Sequence, residues 1–417
     1  MKTLFKIVCI GSVCLFLLVS GCSRDSGSDP DTDLDTDAKT DSETEIVLTT
    51  TGVSDDEIVF GTHTDLSGPI SIYGTESVNG VRMRFDEANE EGGVHGRTIK
   101  FIAEDSQYSP QESIRAANKL IHRDKIFAML LALGTPNNLN VMEEQFKAGV
   151  PNLFPLTGSI QMAEPYRRLM FTARGIYYDE IRTAVKYFVE EKGYSAPCVA
   201  YIDNDYGQEV YNAVVDQTKE MEIEIVEYAA HERTETEFTA TVLRFKEAGC
   251  DFVLLGTVVV DTLGILGAAR KIDWEDVDWV GSNAAGGNVV AEHPSGAGEG
   301  MYTLSHMTRI YPDTEENEEA VQWFEKYKER FNRIPDVGAM EGYRGADLVI
   351  KALEIAGRGL TRDKFIEALE SINDYTDPWG YKLSFSPENH NGLKVTGLSQ
   401  VQNGRWVQLE KTISLER

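Results

Sequence analysis

From residue 57 onward, short continuous apolar runs alternate with longer runs in which apolar residues recur every three or four positions. The first pattern predicts strands and the second amphipathic helices. Strands are expected at 57–62, 98–103, 126–131 and 152–155. A helix is expected over 76–91, where Val78, Val81, Phe85 and Ala88 share one face and Gly92 and Gly93 end it. Ser109 and Pro110 open a second helix, the serine as cap and the proline at the first helical position, with Ile114, Ala117, Leu120 and Ile121 behind them. A third is expected at 139–148. A long helix over 179–192 then leads into a second series. Its strands read at 198–202, 223–228, 252–255 and 279–281, and its helices at 208–221, 237–248 and 261–271.

Each half therefore reads β-α-β-α-β-α-β. Such alternation implies parallel sheets covered by helices on both faces, an α/β fold repeated twice. The remainder does not repeat. It is strand-like at 299–307, helical at 316–331, 337–356 and 361–371, and hairpin-like at 381–385 and 394–409, with a turn at Asn403 and Gly404. A tail of this kind can serve both halves if the chain crosses between them more than once.

Open parallel sheets bind ligands beyond the carboxyl ends of their strands. In the first half those loops are 63–75, 105–109, 132–138 and 156–161. In the second they are 203–206, 229–235, 257–260 and 282–287. The first set offers Tyr73, Thr135, Asn137, Asn138, Leu156, Thr157, Gly158 and Ser159, with N–H groups at helix starts that suit a carboxylate. The second offers Tyr206, Asn283, Asp203 and Asp205. The plainer readings stand beside these. Thr157 to Ser159 reads equally as turn and cap chemistry, Asn137 and Asn138 as a cap, Tyr206 as packing at a turn, and His63 as an ordinary loop residue.

Lys2 and Lys6 precede a thirteen-residue apolar run over 7–19, too short to span a bilayer but suited to a secretory signal. Leu18, Val19, Ser20 and Gly21 then lead to Cys22, which resembles a bacterial lipobox; residues 1–21 would be the signal and Cys22 the lipidated first residue. Residues 23–57 carry 12 acidic and 2 basic residues and little to bury, so 22–56 reads as a disordered tether.

The 417 residues hold two or three domains. A net charge of −28 excludes a nucleic-acid partner and leaves membrane contact only to an anchor. There is no CxxC, HExxH, GxxxxGK[ST] or GxSxG, and the acidic run 29–37 lacks the glycine and terminal glutamate of a calcium loop. The chain reads as no enzyme, with no cofactor and no metal. Cys198 and Cys250 stand at the starts of strands that would be neighbours, within reach of a disulfide; two buried thiols is the favoured expectation.

The body resembles the leucine/isoleucine/valine-binding group of type I periplasmic binding proteins, the substrate-binding proteins of ABC transporters. The matching stretches run in order over about 57–410. They are Leu66-Ser67-Gly68-Pro69 with Tyr73-Gly74, then Asn89-Glu90-Glu91-Gly92-Gly93-Val94-His95-Gly96-Arg97, Ala103-Glu104-Asp105-Ser106 and Gly134-Thr135-Pro136-Asn137-Asn138. Gly149-Val150-Pro151, Thr157-Gly158-Ser159 and Asp203-Asn204-Asp205-Tyr206-Gly207 follow. The resemblance implies two Rossmann-like lobes joined by three crossovers: 57–175 with 310–372, and 176–309 with 373–417. It implies an extracytoplasmic monomer that delivers a small ligand to an ABC permease. Tyr73 and Tyr206 would face the ligand from opposite lobes. Asn137 or Asn138 and residues 156–159 would hold its carboxylate.

Two departures matter. Asn283 stands where amino-acid binders carry the acid that holds the ligand's ammonium, and Val258 replaces a second-lobe aromatic. An amide cannot neutralise a buried ammonium. Either Asp205 or Asp261 takes that role, or the ligand is a carboxylate without an α-amine, which is the expectation here. The alternatives are a ligand-occupancy sensor of the same fold and a true branched-chain amino-acid binder.

Overall fold

The computed structural model describes residues 50–393, 396–413 and 415. The signal, Cys22 and residues 23–49 lie outside them, while residues 50–56, expected as part of a disordered tether, are instead packed on the first lobe, where the Ser54 carbonyl accepts Arg97 Nε at 2.7 Å. The first sheet is wholly parallel, in the order β2-β1-β3-β4-β5. Its strands are β1 (Glu57–Thr64), β2 (Thr98–Asp105), β3 (Ala128–Leu130), β4 (Asn152–Leu153) and β5 (Met170–Phe171), the last of which the apolar pattern does not reveal. Helices α1 (Ser71–Glu90), α2 (Pro110–Asn118) and α3 (Thr135–Lys147) connect them.

The chain then crosses to α4 (Tyr177–Glu190) and runs through β6 (Pro197–Ile202), α5 (Asp205–Glu220), β7 (Glu227–His231), α6 (Thr239–Ala248), β8 (Phe252–Gly256), α7 (Val259–Lys271), β9 (Asp278–Gly281), α8 (Asn288–Ala291) and β10 (Tyr302–Ser305). It returns to the first lobe for α9 (Glu318–Phe331), α10 (Val337–Ala356), α11 (Arg362–Glu370) and the small pair β11 (Tyr375–Thr376) and β12 (Lys382–Leu383). It ends in the second lobe as the antiparallel pair β13 (Thr396–Gln402) and β14 (Arg405–Ile413). The second sheet is ordered β14-β13-β10-β9-β8-β6-β7, parallel from β7 through β10.

Each lobe is held by its own core. In the first, the rings of Phe60, Phe85, Phe127 and Phe365 pack at 5.4–6.3 Å and tie β1 and the start of β3 to α1 and α11. Each is essentially unexposed, and burying such a side chain is worth roughly 1.5–3 kcal/mol. Tyr375, Leu383, Phe385 and Leu393 join that same core, so 373–393 packs on the first lobe. The last crossover thus falls after Leu393, beyond the boundary at 372 read from the sequence, because these four apolar side chains complete the first-lobe core. In the second lobe, Phe188, Phe252 and Tyr302 stack between α4 and the sheet. Cys198 and Cys250 are joined in a disulfide, with Cα atoms 5.8 Å apart, which corrects the expectation of two free thiols. β6 and β8 are adjacent, with Cys198 in β6 and Cys250 just before the start of β8.

The lobes touch across the cleft. The Glu209 carboxylate on α5 accepts the Ser159 hydroxyl at 2.6 Å and the Ile160 N–H at 2.8 Å. Arg233 reaches the carbonyls of Gln107 and Tyr108. Asp336, which caps α10, accepts the Asn288 N–H at 2.5 Å. The cleft is therefore closed.

Candidate functional site: the cavity between the lobes

Between the lobes lies a cavity of about 470 Å³. Its walls come from the first turn of α1, the starts of α3 and α7, the segment between β5 and α4, and the loop after β9. These helix starts reach the cleft because their first turns extend beyond the apolar periodicity, as Ser71-Ile72-Tyr73 in α1, Thr135-Pro136-Asn137 in α3 and Val259-Val260-Asp261 in α7. α3 begins at Thr135, after Gly134, whose φ of 98° favours glycine. α5 begins at Asp205, with Asn204 accepting the N–H groups of Tyr206 and Gly207.

Of the residues expected from the sequence, Tyr73, Leu156, Tyr206 and Asn283 line this cavity. The Tyr206 hydroxyl is used inside its own lobe, donating to the Thr257 carbonyl at 3.0 Å and bonding Ser282 Oγ at 2.9 Å. What it presents to the cavity is its ring, packed on Tyr177 at 4.9 Å. Asn137, Asn138, Thr157, Gly158 and Ser159 are not among the lining residues. Asn138 donates to the carbonyls of Ala132 and Gly134 and accepts from Asn152, so it pins the end of β3 to the start of α3. Asn137 is fully buried and its amide has no partner among the described residues. Thr157 Oγ1 bonds Thr135 Oγ1 at 2.7 Å, and it is Thr135 that reaches the cavity. Gly158 lies against the neighbouring crossover; a Cβ there would stand 2.3 Å from the Gly175 carbonyl. Ser159 turns to Glu209.

The N–H groups expected to meet a carboxylate are largely engaged. Leu156 donates to Ala132, Thr157 to Pro155 and Ser159 to Thr157 Oγ1. A tight turn after a two-residue strand satisfies its own backbone. Neither Asp205 nor Asp261 lines the cavity. Asp205 is exposed, and Asp261 faces its own helix start and His231.

Residues outside the sequence expectations dominate the hinge side. Arg174, in the first crossover, is 4% exposed and lines the cavity. Its Nη2 donates to the Tyr73 hydroxyl at 3.0 Å, and its guanidinium stands 5.3 Å from the centre of the Tyr73 ring and 5.9 Å from that of Tyr177. Glu341 on α10 is its ion-pair partner at 3.4 Å and also bonds His306 at 2.9 Å. Burial pushes the Glu341 carboxyl up to about 8 and His306 well below the usual imidazole range. Glu180 lies behind Asn283, whose amide nitrogen contacts both carboxylate oxygens at 2.9 and 2.8 Å. Burial raises Glu180 to about 7 against the pull of that hydrogen bond. With the amide nitrogen so committed, Asn283 Oδ1 is left buried without a partner among the described residues.

Two lobes built on largely parallel sheets, three crossovers and a cavity lined from both sides are the architecture of a two-lobed solute-binding protein. The sequence model of the family described as periplasmic binding protein matches residues 57–405. The leucine-, isoleucine-, valine-, threonine- and alanine-binding protein of Pseudomonas aeruginosa is 22% identical over 328 residues, which is 78% of this chain and 85% of that protein. A fatty acid ABC transporter substrate-binding protein from Thermomonospora curvata shares the fold at a TM-score of 0.78 and 22% identity, covering 88% of this chain and 94% of its own. A branched-chain amino acid ABC transporter from Thermus thermophilus with bound valine does so at 0.78 and 19%, covering 87% and 98%. The chain belongs to the periplasmic binding protein family.

Proposed function

We propose that this protein is an extracytoplasmic solute receptor, tethered through Cys22, that binds a small carboxylate-bearing ligand between its lobes and delivers it to an ABC permease. The observation that carries the reading is the cavity itself, lined from both lobes and carrying Arg174 at its hinge-side end. There Arg174, the Thr135 hydroxyl and the start of α3 supply positive potential suited to an anion. Tyr73 and Leu156 form the first-lobe wall; Tyr206 and Asn283 form the second. Asn137, Asn138, Thr157, Gly158 and Ser159 act from behind by shaping the first-lobe strand ends. The ligands named for the relatives, amino acids and fatty acids, share a carboxylate.

The test is a thermal-shift screen of the purified body against amino acids, aromatic and aliphatic acids, amides and polyols. A solute at 100 times its Kd adds about 2.7 kcal/mol, and a clear rise in melting temperature for carboxylates is expected. Stabilisation by polyols alone would reject the carboxylate. For the anchor, Cys22→Ser is expected to move the protein from the membrane fraction to the soluble one; retention in the membrane fraction would reject lipidation at Cys22.

A further inference from the structure

We propose that the solute is a monocarboxylate with an extended apolar tail and no charged amine, its carboxylate on Arg174 at the hinge and its tail running out between the lobes past Ile72, Val260 and Ile334. This rests on the receptor reading above and narrows its ligand class.

The head group follows from an unbalanced cation. Arg174 is buried, its Nη1 has no hydrogen-bond partner among the described residues, and its Nε lies near Glu341 without making a hydrogen bond. Burial favours the neutral forms of both Glu341 and His306 near neutral pH. Both oxygens of Glu180 are occupied by Asn283. Burial opposes the ionised form of Glu341, which weakens its ion pair with Arg174, and a ligand carboxylate supplies a stronger counter-charge.

The same wall disfavours an amine. Asn283 Oδ1 is an unpartnered acceptor on the second lobe, but it is uncharged. Glu76 also lines the cavity, and burial drives its carboxyl well above the usual range, toward the neutral form. Asp336 is already engaged by Arg309 at 2.9 Å and by the N–H groups of Asn288 and Val337.

The tail follows from shape. Away from Arg174 the wall is largely apolar, with Ile70, Leu133, Val258, Val259, Leu263 and Val289, and it also carries His293 and Glu292, whose carboxyl burial raises toward the neutral form. At about 30 Å³ per non-hydrogen atom, the volume a water takes in the liquid, the cavity holds roughly 15 such atoms, well beyond free leucine. Its mouth carries Ile72, Val260 and Ile334, which are 51%, 50% and 52% exposed although they line the cavity. They come from three separate segments and both lobes. A chain leaving between them would cover all three.

Calorimetry on the folded body with saturated monocarboxylates of increasing length, their amides, leucine and des-amino leucine tests this. Binding should tighten by up to about four-fold per methylene and level off once the tail passes the mouth. Amides should bind at least about ten-fold more weakly than the acids, and Arg174→Gln should abolish that preference. Ile334→Asp, at an exposed site, should remove the gain for the longest chains and leave short acids unchanged. Should Arg174→Gln not fold, the acid–amide and chain-length comparisons on the unaltered protein decide. Tight leucine with no des-amino leucine, or binding by another solute class with none by monocarboxylates, would overturn the ligand class and leave the receptor standing. A folded Arg174→Gln that still prefers acids over amides would remove Arg174 as the anchor. Failure of every solute to bind or stabilise the protein would overturn both readings.

Discussion

At position 283 an amide stands where the family resemblance leads one to expect an acid, and the structure places a buried acid, Glu180, immediately behind it. Asn283 bonds both oxygens of that carboxylate through its side chain and one through its backbone N–H. Asn283→Asp would put two carboxylates in hydrogen-bond contact inside the lobe. Such a pair shares a proton, and its second ionisation is strongly opposed. The variant should lose about 3 kcal/mol or more at pH 8 and much less at pH 5, and Glu180→Gln in the same chain should restore most of the loss. Denaturant unfolding at both values checks this; an equal loss at pH 5 and pH 8 would reject the electrostatic account. Tyr73, Leu156, Tyr206 and Asn283 are legible as cavity residues because the strand-end rule selects their loops. Arg174 and Glu180 are not, since β5 is too short to show a pattern, so the loop after it goes unread, and Glu180 lies beyond that loop on α4. The signal available is an arginine among Phe171, Ala173, Ile176 and Tyr177. A cation set in an apolar run must find a partner.

At the level of elements, the alternation of short apolar runs with the 3.6 period exposes both sheets and most helices, because each helix buries one stripe against a sheet. Its errors have physical causes. α1, α3, α5 and α7 begin two to five residues earlier than the apolar pattern indicates, at 71, 135, 205 and 259 against 76, 139, 208 and 261. Their first turns fall outside the apolar stripe, and residues of those turns line the cavity. β7 lies at 227–231 rather than 223–228 because it is an edge strand with one covered face and a weak pattern. β5 has two residues and no period to detect. The β6–β8 adjacency is legible, and with it the proximity of Cys198 and Cys250, but the oxidation state is not. That bridge closes a loop of sequence separation 52, for which the chain-entropy account gives about 4 kcal/mol. Replacing both cysteines with serine should lower denaturant stability by an amount of that order or somewhat less. Thiol labelling of the denatured, unreduced body should find neither residue free; two reactive thiols would remove the bridge.

For the whole molecule, the buried acids set an unusual dependence on pH. Burial raises Glu180 and Glu209 to about 7 and Glu341 to about 8, and it lifts Glu76 well above its ordinary range. A carboxyl whose pKa is higher in the folded than in the unfolded state binds its proton more tightly when folded. Its contribution is therefore complete below about pH 4.5 and is lost as the pH rises through its folded value. A tenfold change in proton affinity corresponds to about 1.36 kcal/mol, so together these groups remove on the order of several kcal/mol between pH 5 and 8. Asp105 acts in the opposite sense. Burial is the largest single influence on it and pushes upward, but hydrogen bonds from the Ser67 hydroxyl and neighbouring N–H groups together outweigh burial and hold its carboxyl below the ordinary range. Its effect falls at more acidic pH. The net charge of −28 adds self-repulsion as the acids ionise. The body should therefore melt highest near pH 5 and progressively lower toward pH 8, the reverse of ordinary acid lability. Glu209 joins the lobes through Ser159 and Ile160, so part of this slope belongs to the closed cleft. Glu209→Gln keeps the shape without the charge and should flatten the slope between pH 6 and 8. Differential scanning calorimetry of both proteins across that range is the measurement, and a melting temperature that is constant or rises from pH 5 to 8 would show that these acids are ionised in the fold.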